Sequence, residues 1–134
     1  MFGWFRKKIS PANDDLNPNR ALEFFSRGDY GEALRRAKAI VSAGPQIALS
    51  WQFHGECLFH VERYAEAVES FGRATQLGGP GTEETFLWQA LSLHNGGQRE
   101  EAKQVIRDFL LSESATSELV AKAQGALAKL ESGT

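Results

Sequence analysis

RGDYGEALRRA, VERYAEAVESF and GGQREEAKQVI share one plan: a turn, an acidic residue, an alanine, then an apolar stripe at helical spacing. The shared alanines are Ala33, Ala67 and Ala102, 34 and then 35 positions apart. The extra residue falls naturally in the glycine-rich link Gly78-Gly79-Pro80-Gly81. A unit repeated at this spacing buries its apolar side by stacking on its neighbours, which points to an all-α, quasi-one-dimensional stack.

Each unit reads as two helices. Pro18 suits a first helical turn behind the cap Asn17, and ALEFF supplies apolar residues up to Arg27. Gly28-Asp29 breaks that helix, and Ala33, Leu34, Ala37, Ile40 and Val41 recur at helical spacing until Gly44-Pro45. The second unit predicts helices from about Gln46 to His60 and from Tyr64 to Leu77. The third predicts a helix capped by Thr82, with Glu83 and Glu84 at the positive end of its dipole, a break at Asn95-Gly96-Gly97, and a helix from Arg99 to Leu111. A seventh helix, about Thr116 to Glu131, has Leu119, Val120, Ala123, Leu127 and Leu130 on one side and Lys122, Gln124, Lys129 and Glu131 on the other. That is the pattern of a capping helix, which covers the last apolar face of a stack.

These units resemble the tetratricopeptide repeat (TPR) family over about residues 14 to 131. In the middle unit Trp51, Gly55, Ala67 and Phe71 stand in the family's pattern, with Pro80 closing one residue late. His54 and Leu58 replace its leucine and tyrosine. The first unit keeps Phe24, Ala33 and Pro45, and the third keeps Phe86, Ala90, Ala102 and Ile106. The resemblance implies a right-handed α-solenoid of three helix-turn-helix repeats, about 14–47, 48–81 and 82–115, with a capping helix at about 116–131. Residues 14–134 form the domain, and residues 1–13 an aromatic and basic tail with its linker. Ala21, Gly55 and Ala90 fall where paired helices approach most closely.

Members of the family commonly bind a peptide on the concave side, lined by the first helix of each pair. Carried onto this sequence, that groove comprises Leu22, Phe25 and Ser26, then Gln52, Phe53, Glu56, Phe59 and His60, then Glu84, Leu87, Trp88, Leu91, His94 and Asn95. Relatives that grip chaperone C-termini clamp a terminal carboxylate with lysine, arginine and asparagine, and no cation stands at the corresponding places here. The expected ligand is an apolar extended segment or an amphipathic helix of another protein. A type III secretion-like chaperone holding an unfolded client segment is the alternative, and a self-assembling scaffold a third reading.

No enzyme is expected: there is no phosphate-binding glycine loop with its lysine and no serine in a nucleophile context. His54, Cys57 and His60 are the residues that most suggest a metal. At steps of three they spread over an arc of about 120° on a helix, poorly placed for one ion, so core packing is the better reading. Glu32, Glu66 and Glu101 recur before the aligned alanines as a solvated face. No cofactor is expected, and the net charge of −2 argues against nucleic acid as a partner.

The chain opens MFGWFRKKI. Its cations follow the aromatics and the next residues are polar, unlike an export signal, and the single Cys57 needs no oxidising compartment. The expected location is cytoplasmic, with peripheral contact at the inner face of a membrane as an option. Phe2, Trp4 and Phe5 beside Arg6, Lys7 and Lys8 suit an interfacial anchor. The same side chains fit a hydrophobic groove, either the chain's own or that of another subunit, which makes homo-oligomerisation through the tail an option. The third reading is a tail without contacts.

Overall fold

The computed structural model describes residues 14–132. Seven helices follow one another among these residues: α1 Pro18–Ser26, α2 Tyr30–Ala43, α3 Ala48–His60, α4 Tyr64–Leu77, α5 Thr85–Asn95, α6 Arg99–Leu110 and α7 Ser117–Glu131. Each packs on the next, and α3 also touches α5, the first helix of the following pair. The result is a helical solenoid in which α4 is wedged between α3 and α5.

Local chemistry sets the helix ends. Asn17 Oδ1 accepts the Asn19 amide at 2.9 Å and Pro18 takes the first turn of α1. Asp29 Oδ1 accepts the Glu32 amide at 3.3 Å and starts α2, and Thr116 Oγ1 accepts the Leu119 amide at 3.4 Å and starts α7. All three turns inside the pairs close alike. Asp29 N donates to Phe24 O, Arg63 N to Leu58 O and Gln98 N to Leu93 O, at 2.8 to 2.9 Å. The residue before each donor takes positive φ: Gly28 at 81°, Glu62 at 63° and Gly97 at 88°. This is the six-to-one closure that ends helices on a left-handed residue, and Glu62 adopts it without glycine's freedom.

One predicted boundary is wrong. Thr82 does not cap α5, and Glu83 lies before the helix rather than in its first turn. Gly78, Gly79 and Gly81 all hold positive φ, and Thr82 spends its hydroxyl on Gly79 O at 2.7 Å. The helix begins at Thr85, behind Glu84, whose side chain makes no cap. The fully buried Thr85 hydroxyl donates to Gln52 Oε1 on α3 at 2.6 Å, so a contact between repeats fixes the start.

The core runs in three linked clusters. Ala33, Ala37 and Cys57 join α2 to α3, with Phe24, Phe25, Leu34 and Phe53 around them. Leu58, Ala67 and Phe71 form the middle, flanked by Leu34, Phe59 and Trp88. Phe86, Ala90, Leu93, Ala102, Ile106, Ala123 and Leu130 close the far end beneath α7. Ala21, Gly55 and Ala90 are buried, as close helix approach requires. At the near end the buried Arg36 lies over the Phe24 ring and donates to Glu32 Oε1 and to the carbonyl and carboxylate of Asp14 at 3.1 to 3.2 Å. Glu32 is therefore part of an ion-pair network with Arg35, Arg36 and, through Arg35, Asp15, rather than a plain solvated acid. Glu66 and Glu101 are exposed.

Candidate peptide-binding face

The face made by α1, α3 and α5 carries the predicted groove residues, and they fall into two groups. In the first, the aromatics pack between repeats. Phe25 meets Tyr30 edge-on at 5.2 Å, Phe53 at 5.5 Å and His60 at 5.2 Å, while His60 stacks flat on Tyr30 at 4.4 Å. Phe59 makes edge contacts with His60, Tyr64 and Trp88, and Trp88 lies nearly parallel to Phe71 at 6.0 Å. This ladder runs from the first repeat to the third and leaves Phe25, Phe53, Phe59 and Trp88 only partly accessible. Gln52 is spoken for by Thr85, as above. Leu22 stands apart, 47% exposed.

The second group opens a cleft. Leu87, Leu91 and His94 of α5 face Ala126, Lys129 and Leu130 across a space of about 650 Å³ between α5 and α7. Leu91 is 43% exposed. His94 Nδ1 is buried there with no hydrogen-bond partner among the described residues. On the preceding turns of the same two helices lies a space of about 420 Å³, bounded by Gln52, Trp88, Glu83, Glu84 and Glu118. Its three carboxylates face one cation, Lys122, which pairs with Glu84 and with Glu118. The cleft is thus acidic at one end and apolar at the other. A separate space of about 540 Å³ is bordered by Phe86 and Phe109, which stack at 3.7 Å.

Glu118, Ala126 and Lys129 were not expected at the site, because α7 reads in sequence as a lid, and Glu83 was expected within the first turn of α5 rather than at the mouth of a cleft. The signal available was its run of small residues, Ala121, Gly125 and Ala126, which leaves room beside α5. Phe2, Trp4, Phe5, Arg6, Lys7 and Lys8 lie outside the described residues.

Electrostatics mark Glu56. Half-buried on α3 with no ion-pair partner among the described residues, its carboxyl is pushed above the ordinary range by burial. The folded state then holds that proton more tightly than the unfolded chain, so the contribution to stability falls as pH rises from 4.5 through the folded value. Glu56→Gln removes the penalty. We expect a higher Tm at neutral pH and no gain well below pH 4.5, read by thermal denaturation at both pH values.

The three residues with metal-like spacing diverge. His54 Nδ1 lies 2.7 Å from Ser70 Oγ, and burial holds its pKa below the usual value. Cys57 is fully buried, and burial followed by the Glu56 charge pushes its thiol up to about 12, far from a reactive thiolate. His60 belongs to the Tyr30 stack.

The architecture is the TPR fold. The chain is similar to the second TPR domain of human RPAP3, solved by NMR in complex with an HSP70 peptide, at 24% identity and a TM-score of 0.70 over 84% of this chain and 90% of that one. It is similar to the TPR2B domain of yeast Sti1 in a pHsp70 complex, at 12% identity and 0.71 over 92% and 98%. The Yersinia enterocolitica type III secretion chaperone SycD, in complex with a peptide of the translocator YopD, is similar at 16% identity and 0.71 over 91% and 94%. No protein-family model matches the sequence, and no curated protein matches it. No helix among the described residues is long and apolar enough to cross a membrane.

Proposed function

We propose that this is a non-enzymatic, cytoplasmic interaction module that takes an apolar segment or amphipathic helix of another protein along α1, α3 and α5, with the α5–α7 cleft as its main seat. The observation that carries this is the apolar cleft of about 650 Å³ with Leu91 exposed at its edge. The similar RPAP3, Sti1 and SycD domains are each described with a bound peptide or chaperone partner, which supports a peptide ligand. The side-chain chemistry argues for a different peptide from a chaperone C-terminus: α3 and α5 contain no lysine or arginine, and of the two lysines bordering the cleft Lys122 is already paired with Glu84 and Glu118, which leaves Lys129 without the partners of a carboxylate clamp. Each leucine- or phenylalanine-sized anchor that becomes fully buried contributes roughly 1.5–3 kcal/mol, so two or three supply about 3–9 kcal/mol before ordering costs, and micromolar affinity, about 8 kcal/mol, is the upper limit that anchors alone set.

The test is affinity capture followed by titration of the captured protein's segment as a synthetic peptide. Leu91→Asp should weaken binding by about 100-fold, as a buried apolar anchor becomes an unpaired charge. Leu22→Asp, farther along the face, should do less. Both side chains are exposed, so neither change should disturb the melt. Unaltered affinity in both variants would remove this face from consideration. A chaperone like SycD would use the same face, and co-purification with an unstable secreted client would favour that reading.

A further inference from the structure

We infer that the segment seated in the α5–α7 cleft is residues 2–9 of a second copy of this chain; the inference rests on the interaction reading above and names its partner. The cleft has two parts in a fixed order along α5 and α7. Its acidic part, with Glu83, Glu84 and Glu118 against Lys122, occupies the first turns. Its apolar part, with Leu87, Leu91, Ala126 and Leu130, occupies the later turns, and Lys122 and Lys129 border it. The segment FGWFRKKI is divided in the same way, with Phe2, Trp4 and Phe5 on one side and Arg6, Lys7 and Lys8 on the other. Laid along the cleft, its aromatics fill the apolar part while its three cations meet the three carboxylates. The opposite orientation would move the cations away from the carboxylates and toward Lys129, so charge selects one direction of binding.

Reach favours a second molecule over the chain's own cleft. Asp14 is held by the buried Arg36 on α2, in the row of second helices behind the face. Six Cα steps separate Lys8 from Asp14, a span of at most about 21 Å. From α1 to the space between α5 and α7 is two and a half helix spacings of about 8–10 Å, or roughly 20–25 Å before the row offset is added. Within one molecule the connection is fully taut, which forfeits favourable contacts. Between molecules it is slack. A contact between two different surfaces of the same chain is head-to-tail and either closes or extends.

Charge exchange in the full-length chain tests this. One variant carries Lys7→Glu and Lys8→Glu; the other carries Glu83→Lys and Glu118→Lys, both exposed sites. By sedimentation velocity from about 0.1 µM to about 1 mM, which brackets a micromolar affinity and one about 100-fold weaker, wild type should gain mass with concentration. Each variant alone should associate about 100-fold more weakly. Their equimolar mixture should associate again, because the native tail of the second suits the native cleft of the first and the acidic tail of the first suits the basic cleft of the second. Wild type that stays monomeric throughout overturns the inference, as does a mixture that fails to associate. An intramolecular cross-link between Lys7 or Lys8 and Glu83 in a monomer overturns it in favour of the chain's own cleft. Flotation of monomeric wild type on phosphatidylserine vesicles, lost in Trp4→Ser, Phe5→Ser, overturns it in favour of a membrane. If any of these occurs while Leu91→Asp still abolishes binding of a foreign peptide, the interaction module stands and only its partner changes.

Discussion

Phe71→Ala should lower the free energy of unfolding by roughly 3–5 kcal/mol, the largest loss expected from one side chain in this protein. Phe71 is fully buried and is the largest side chain so enclosed. It joins the second and third repeats: Leu58 and Ala67 share its cluster, and Trp88 lies nearly parallel to it at 6.0 Å. Trp88 is itself held by Phe59 at 5.4 Å, so the walls of the cavity are braced and collapse poorly. Urea denaturation followed by helical circular dichroism measures the loss. A change below about 1 kcal/mol would mean that the junction repacks freely, contrary to the usual cost of an aromatic truncation.

Gly55→Ala should also destabilise, by about 1–2 kcal/mol, although alanine is the better helix former by about 1 kcal/mol. A Cβ at this position would stand 2.7, 2.8 and 3.0 Å from three carbons of the Phe71 ring. The ring is fully buried and stacked against Trp88, so relief requires a shift of the α3–α4 contact. Overpacking of this kind typically costs about 1–3 kcal/mol, which outweighs the propensity gain. The sign should change in a Phe71→Leu background, where the smaller side chain leaves room and alanine's propensity prevails. A double-mutant cycle in urea should therefore show a coupling of about 2–3 kcal/mol. Additive effects would place the cost of Gly55→Ala elsewhere.

Together these two positions show why the fold was legible. The motif residues Gly55, Ala67 and Phe71 meet at one point in space, and their spacing in the chain states the demand for a small residue opposite a large one. The turns were legible for a similar reason: Gly28 and Gly97 advertise positive φ, and Glu62 occupies the same place in the same closure. The start of α5 was not legible. Thr82 followed by two glutamates has the local chemistry of a helix start, but the three positive-φ glycines and the Thr85–Gln52 bond move the start two residues on.

The candidate site divides along the same line. The family resemblance assigned Phe25, Phe53, Phe59, Trp88 and Leu91 to the face made by the first helices. Period cannot say how far rings on different helices stand from one another, and four of these five contribute to packing between repeats. Nor could it turn a lid into a wall. The role of α7 depends on Ala121, Gly125 and Ala126 lying opposite Leu87 and Leu91, which stand thirty or more residues away in the chain.

By itself, then, the sequence determined the architecture, because repeat period, turn glycines and small contact residues are local requirements that each unit states again. Only the tertiary structure decided which apolar side chains remain open to a ligand and placed Glu83, Glu84 and Glu118 around one acidic mouth. Exposure and electrostatic potential arise from distances between helices, and no spacing along a single helix encodes them.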